Sequence, residues 1–145
     1  MLDLPIIAGI GAGKLQLGTS KLTARDVLER AGYPLLHSHG ELDYFCENSL
    51  QLEYEEGCVS FIGISDHPDI NCTYQGIDVF DIPAVELFSL VGAGEPTTPT
   101  EMPGETCFFP KQGLNLWESD EQYDRKGNYK RKIYAQIGLQ QPIDA

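Results

Sequence analysis

An α+β fold built from two tandem helix-then-meander repeats is what this sequence predicts, and three observations predict it. The stretch F-C-E-N-S-L-Q-L-E-Y-E from Phe45 answers F-P-K-Q-G-L-N-L-W-E-S from Phe109; at an offset of 64, Phe45, Leu50 and Leu52 fall on Phe109, Leu114 and Leu116. A helical phrase ending in glycine precedes each copy, V-L-E-R-A-G at 27–32 and L-F-S-L-V-G at 87–92. Each copy is followed by a strand-like phrase ending in Ile-Gly-aliphatic, V-S-F-I-G-I at 59–64 and Y-A-Q-I-G-L at 134–139. Neither unit buries its apolar face alone. The strands of both are therefore expected in one antiparallel sheet or two abutting ones, with both helices on one face and the other face open. The repeats run over about 9–65 and 74–140 of a single domain, 1–145, whose length suits one hydrophobic core.

Each element follows from local chemistry. Residues 1–14 are apolar and Gly-rich, with 8–14 read as an entry turn and a short extended piece at Leu15-Gln16-Leu17. Thr23 followed by Asp26 resembles a capping box and opens a helix over about 24–31. Val27, Leu28 and Ala31 form its apolar stripe, Arg25, Glu29 and Arg30 face water, and Gly32 stops it. A strand is expected at 42–46. At 50–56 Leu50, Leu52 and Tyr54 alternate with Gln51, Glu53 and Glu55, the period of a half-buried strand, and 58–64 pairs back through a turn at Glu56-Gly57. Residues 66–74 read as the connector. In the second copy Asp81 is the expected N-cap, with Pro83 and Glu86 in the first turn and Leu87, Phe88, Leu90 and Val91 on the buried face. A Pro/Thr/Gly loop at 92–104, strands at 106–109 and 114–118, a polar loop at 119–128 and a last strand at 129–139 complete the unit.

Charge is distributed unevenly. The net charge is −12, and from Glu41 to Asp124 eighteen acids face one base, Lys111. Arg125, Lys126, Lys130, Arg131 and Lys132 then hold half of the ten Lys and Arg within eight positions. An acidic body repels nucleic acid and anionic membranes and steers a basic partner toward itself, so neither of the former is an expected partner. The same charge also serves solubility. No apolar run reaches a membrane span, and the N-terminal stretch carries Asp3 where a secretory signal has basic residues, so a cytoplasmic protein is expected. Cys46, Cys58, Cys72 and Cys107 contain no C-x-x-C pair and read as small buried hydrophobes, not as zinc ligands or a redox pair.

The motifs that suggest chemistry do not complete themselves. A-G-I-G-A-G-K at 8–14 has Ala8 and Leu15 where a phosphate-binding loop needs Gly and Ser/Thr, and Lys14 where a dinucleotide fingerprint needs its third Gly. His37-x-His39 lacks a close third ligand, and His67 precedes Pro68 in the connector. No nucleophile elbow or H-E-x-x-H is present. No catalytic residue, cofactor or metal site is nominated. Strand alternation instead turns Trp117 onto the open face, with Glu53, Glu55, Glu118, Asp120 and Glu121 as an acidic rim and Tyr54 and Tyr123 behind them.

The phrase G-K-L-Q-L-G-T-S-x-x-x-x-x-D-V-L-x-x-A-G at 13–32, followed by L-x-L-x-Y, resembles the helix-and-sheet module of β-lactamase inhibitor proteins and SmpA-type lipoproteins. With its second copy, G-I-D-x-F-D-I-P at 76–83, the chain also resembles immunity proteins of bacterial polymorphic toxin systems. The resemblance implies a bacterial inhibitor that neutralises a cognate toxin or enzyme domain by occluding its active site; the acidic charge points to a basic target, and a nuclease fits because carboxylates can occupy surface that otherwise holds phosphates. Two other expectations stand beside it. One is a small-ligand module or enzyme with a pocket between sheet and helices capped by 92–104; the other is an adaptor that self-associates through the open face.

Overall fold

The computed structural model describes residues 1–95, 106–123 and 130–143, with the backbone alone for 118–123, 130 and 131. In chain order the elements are β1 (Leu2–Ile7), β2 (Gly11–Ala12), β3 (Leu15–Gln16), α1 (Lys21–Arg30), β4 (His37–His39), β5 (Leu42–Phe45), β6 (Leu50–Glu55) and β7 (Cys58–Ser65). They continue as β8 (Ile70–Tyr74), β9 (Ile77–Asp78), α2 (Ala84–Ala93), β10 (Cys107–Phe109), β11 (Leu114–Tyr123) and β12 (Lys130–Gln140). The protein is α+β, with two sheets and two helices among the described residues. The larger sheet, β10-β11-β12-β7-β6-β5-β4, is antiparallel throughout. The smaller, β3-β2-β1-β8-β9, contains one parallel pair, β1 with β8.

The two meanders carry the same register. Phe45 pairs with Leu50, and Phe109 with Leu114, across turns of equal length. Leu50 and Leu52 then meet Ile64 and Ile62, while Leu114 and Leu116 meet Leu139 and Ile137. The meanders join where β7 pairs with β12, and there Gly63 stands directly opposite Gly138, flanked by Ile64 opposite Ile137 and Ile62 opposite Leu139. Alternation sends all these Leu, Ile and Phe side chains into one buried cluster. That cluster also takes in Leu2, Leu4 and Ile6 of β1, Ala24 and Leu28 of α1, and Leu87 and Val91 of α2. α1 touches β3 and β7, and α2 touches β12.

Two sheets are present, but the smaller one is built from segments that the sequence reading left without strands, residues 1–7 and the connector expected at 66–74. Leu2, Leu4 and Ile6 alternate with exposed Asp3, Pro5 and Ile7. β1 supplies the small sheet's centre by pairing with β8, whose residues lie 68 positions away. Pro5 is tolerated because the Leu2 N–H points at Asp69 (2.7 Å), so that the missing donor of Pro5 falls on the side away from β8.

The helix ends also differ from expectation. Ser20, not Thr23, caps α1: its Oγ accepts from the Thr23 N–H at 3.3 Å, so the helix begins three residues earlier than the capping-box reading puts it. Ala24 and Leu28 are buried, whereas Ala31 is exposed beyond the last turn. α2 begins after Pro83, with Ala84, Leu87 and Val91 buried and Phe88 tilted against Phe109 at 5.8 Å. Asp81 stands outside the helix, and the Asp78 carboxylate instead accepts from the Phe80 N–H (3.0 Å). Residues 96–104 of the expected 92–104 loop, and Arg125 and Lys126 of the basic cluster, lie outside the described residues.

Candidate partner-binding face

The side of the large sheet that turns away from the core is built by the same alternation that fills the core. The buried row Leu116–Ile137–Ile64–Leu50–Phe45 crosses five strands. Beside it, on the opposite face, Phe108, Asn115, Gly138, Gly63, Gln51, Tyr44 and His37 line up across all seven. The flanking outer rows are Gln140–Phe61–Glu53–Leu42–His39 and Trp117–Gln136–Ser65. Phe61, Trp117, Tyr44 and Phe108 are half-buried there, as rings lying on a sheet are.

At the centre of this face the two opposed glycines form a floor without side chains. The Phe61 ring covers both: a methyl on Gly138 would stand 2.5 Å from Phe61 Cζ, and one on Gly63 would stand 3.1 Å from Phe61 Cε1. The Trp117 indole packs against Phe61 with centroids 5.5 Å apart and planes at 41°. An aromatic ring laid over strand glycines recovers packing that the missing side chains forgo. Gly138→Ala is expected to leave the fold intact, because the new methyl meets only side-chain ring atoms, the end of Phe61 at 2.5 Å and Trp117 Cη2 at 3.2 Å, but to push the two rings apart. Trp117 is the sole tryptophan, so its emission should shift to longer wavelength while far-ultraviolet dichroism is unchanged; an unaltered emission maximum would show that the ring does not depend on the glycine floor.

The structure places the expected site residues unevenly. Trp117 lies on the outer face as expected. Glu53 shares that face but sits three strands across and four residues along from Trp117, roughly 14 Å and 13 Å in the two directions at sheet spacing. Glu55 is exposed at the end of β6. Glu118, Asp120, Glu121 and Tyr123 continue the backbone of β11, with Glu121 opposite Lys132 and Tyr123 opposite Lys130; their side chains lie outside the described residues. The polar stretch expected as a loop from 119 is therefore ladder as far as Tyr123, and Lys130–Lys132 return on β12. In the three outer rows Glu53 is the one described carboxylate. The middle of the face is aromatic and amide, with Gln51, Gln136, Gln140 and Asn115, and is not acidic.

Tyr54 is a correction. It points into the core, is 4% exposed, and donates to Asp43 Oδ2 at 2.6 Å. Asp43 is 1% exposed and receives three further bonds: Arg25 Nε (2.7 Å), an Arg25 terminal nitrogen (2.8 Å) and Ser38 Oγ (2.6 Å). Arg25, expected to face water, therefore ties α1 to β5. Burial pushes the Asp43 carboxyl up, but the bonds from Arg25, Ser38 and Tyr54 outweigh it and hold the group at about 2. Burial, then the Asp43 contact, raises the Tyr54 hydroxyl. With all its partners inside the protein, this cluster fastens the fold and offers nothing to a ligand.

Cys46 and His67 line a 270 Å³ recess with Glu47 and Asp69. Burial, and then Asp69 and Glu47, push the Cys46 thiol up to about 11, opposite to what activates a nucleophile. None of the four cysteines forms a disulfide. His37 stacks on Tyr44 at 4.6 Å and shares a 2.9 Å hydrogen bond with Asn48, and His39 is exposed on the edge strand. Among the described residues no group of three or more His, Cys, Asp or Glu is placed to hold a metal, and no helix is long and apolar enough to cross a membrane. Compared with protein-family models, curated proteins and solved structures, the chain matches none.

Proposed function

We propose that this chain is a binding protein of inhibitor or immunity type, which neutralises a basic cognate toxin or enzyme domain, of nuclease type, by laying the outer face of its large sheet over the active site. The observation that carries the reading is the Phe61–Trp117 pair on a glycine floor at the middle of that face. Large rings held flat among amides lose little freedom on binding and bury much area, which is the make-up of an interface centre. Glu53 and Glu55 supply an acidic rim, and the net charge of −12 draws in a cationic partner and raises its association rate. The matched registers of β5–β6–β7 and β10–β11–β12 support a duplicated helix-and-meander unit, whose join at Gly63 and Gly138 creates the floor that neither copy has alone.

The test is capture on the immobilised full chain, eluted with rising salt, using wild-type, Trp117→Ala and Phe61→Ala baits in parallel. A basic protein held by wild-type should be bound by either variant with a loss of about 2 kcal/mol or more, roughly thirtyfold in Kd. A specific partner retained equally by all three baits would move the site off this face, and absence of any specific partner at low salt would set the inhibitor reading aside.

A further inference from the structure

The small sheet stops short on one side, and a cavity opens where it stops. β2 pairs only with Ile6 and Ile7 of β1, and the chain turns away at Gly13, whose N–H bonds the Pro5 carbonyl at 2.9 Å. Gly13 has φ +58°, and a methyl there would stand 2.5 Å from the Asp3 carbonyl oxygen, so only glycine lets the turn lie against β1. That close approach sends Leu15 inward, 2% exposed, and leaves Lys14 at the surface. Between this turn, β1 and the last turns of α1 lies a cavity of 420 Å³, within the range of sites that enclose a small molecule. With the β1 edge covered by the Gly13 turn, the occupant has to be a compact molecule held by side chains.

The lining offers two kinds of surface. Leu4, Leu15, Val27 and Leu28 give an apolar floor, while Lys14 and Arg30 line the cavity from exposed positions. These are two of ten Lys and Arg in a chain of net charge −12, so the local sign opposes that of the whole. Lys14 makes no ion pair among the described residues, and the pair of Arg30 with Asp26 (2.8 Å) leaves Arg30 81% exposed. An ion pair so exposed contributes little and leaves the guanidinium open to a second acceptor. The carboxylate of Asp3 accepts instead from Asn71 Nδ2 on β8, at 3.1 Å. The C-terminal end of α1 carries partial negative charge, so attraction for an anion has to come from these two side chains.

We infer that this cavity binds a small apolar carboxylate. Its hydrocarbon body lies on Leu4, Val27 and Leu28, and its carboxylate meets Lys14 and Arg30 at the mouth, where a guanidinium can donate to both oxygens. The floor disfavours a hydrophilic anion such as acetate, which has no apolar surface to bury, and the two cations disfavour neutral and cationic amphiphiles of the same length. The site belongs to the other sheet from the Phe61–Trp117 face and does not rest on the reading given to that face.

The test is equilibrium dialysis of the full chain against octanoate, with 1-octanol, octylammonium and acetate as comparisons. A single octanoate per chain should bind, roughly tenfold tighter than 1-octanol, the scale of a hydrogen bond to a charged group, with octylammonium and acetate weaker still. Lys14→Glu should bring octanoate down to the level of 1-octanol, and Val27→Trp, which fills the cavity, should abolish binding of both. Leu22→Trp, exposed elsewhere on α1, and Trp117→Ala, on the other sheet, should change nothing. Lys14 is exposed, so its variant tests the site even if Val27→Trp perturbs α1. Failure of octanoate to bind at millimolar concentration, equal affinity for octanoate and 1-octanol, or octanoate binding undiminished in Lys14→Glu would each overturn the inference.

Discussion

Replacing Asp43 by alanine is expected to destabilise the protein by about 3 kcal/mol, the lower part of the range for breaking a buried ion pair by removing one partner. The lower part applies because Arg25 retains 32% exposure and can rehydrate, whereas the Tyr54 hydroxyl, 4% exposed, loses its acceptor inside the core. Urea denaturation at neutral pH checks it, and a cost under 1 kcal/mol would mean that the network does not anchor α1. The pH dependence gives an independent check. The folded carboxyl titrates at about 2 against 3.8 for an ordinary one, so its contribution is complete above about pH 4 and is lost as pH falls through 4 toward 2. That lost contribution is roughly 2 kcal/mol, which the wild-type protein should forfeit over this window and Asp43→Ala should not. The stability difference between the two must therefore narrow in acid.

Gly113→Ala is the second large effect. Gly113 closes the turn between β10 and β11 with φ +68°, a left-handed conformation that a side chain disfavours. A methyl there would overlap the Gln140 carbonyl oxygen and stand 3.2 Å from the Pro142 nitrogen, both backbone atoms with no flexible side chain to move aside. The same glycine is held on both sides, donating to the Phe109 carbonyl (2.9 Å) and accepting from the Gln140 N–H (2.9 Å). We expect a loss of about 3 kcal/mol from strain plus displaced backbone. Gly57→Ala is the control: φ is +78° but nothing lies within 4 Å of the added carbon, so only the conformational cost of about 1 kcal/mol remains. Equal losses in the two variants would show that the Gln140 strand yields.

What was legible in the sequence follows from how far each interaction reaches. The strand β6 announced itself because Leu50, Leu52 and Tyr54 sit two apart on one buried face, and the glycine after α1 marked its end in the same local way. β1 and β8 carry the same alternation, in Leu2, Leu4 and Ile6 and in Ile70, Cys72 and Tyr74, but Pro5 argues against a strand locally, and their pairing is parallel and joins Leu2 to Ile70, which no window of neighbouring residues contains. Arg25 read as a solvated helix residue because its partner, Asp43, is eighteen positions away on a strand not yet placed. Trp117 was assigned to the open face by parity with Leu114 and Leu116, and parity carries no further: the neighbours it meets there depend on strand order. For that reason Phe61 was missed. The signal was present in F-I-G-I at 61–64, where a ring stands two residues before a glycine and so shares its face, and the second glycine phrase at 137–139 marked the other half of the floor.

The join between β7 and β12 has a further consequence for how the chain gets to its final form. Each meander closes over turns of a few residues, but the join brings together Ser65 with Gln136 and Phe61 with Gln140, more than seventy residues apart. Closing a loop of that size costs roughly 4 kcal/mol of chain entropy, against about 1 for each turn. The hairpins therefore have every reason to form before the join. During that interval β7 and β12 are both bare-edged strands with Ile62, Ile64, Ile137 and Leu139 along them, and each is as ready to pair with another molecule as with its own other half. The central seam that unites the finished sheet is, until it shuts, the place where the newly made chain is most open to aggregation.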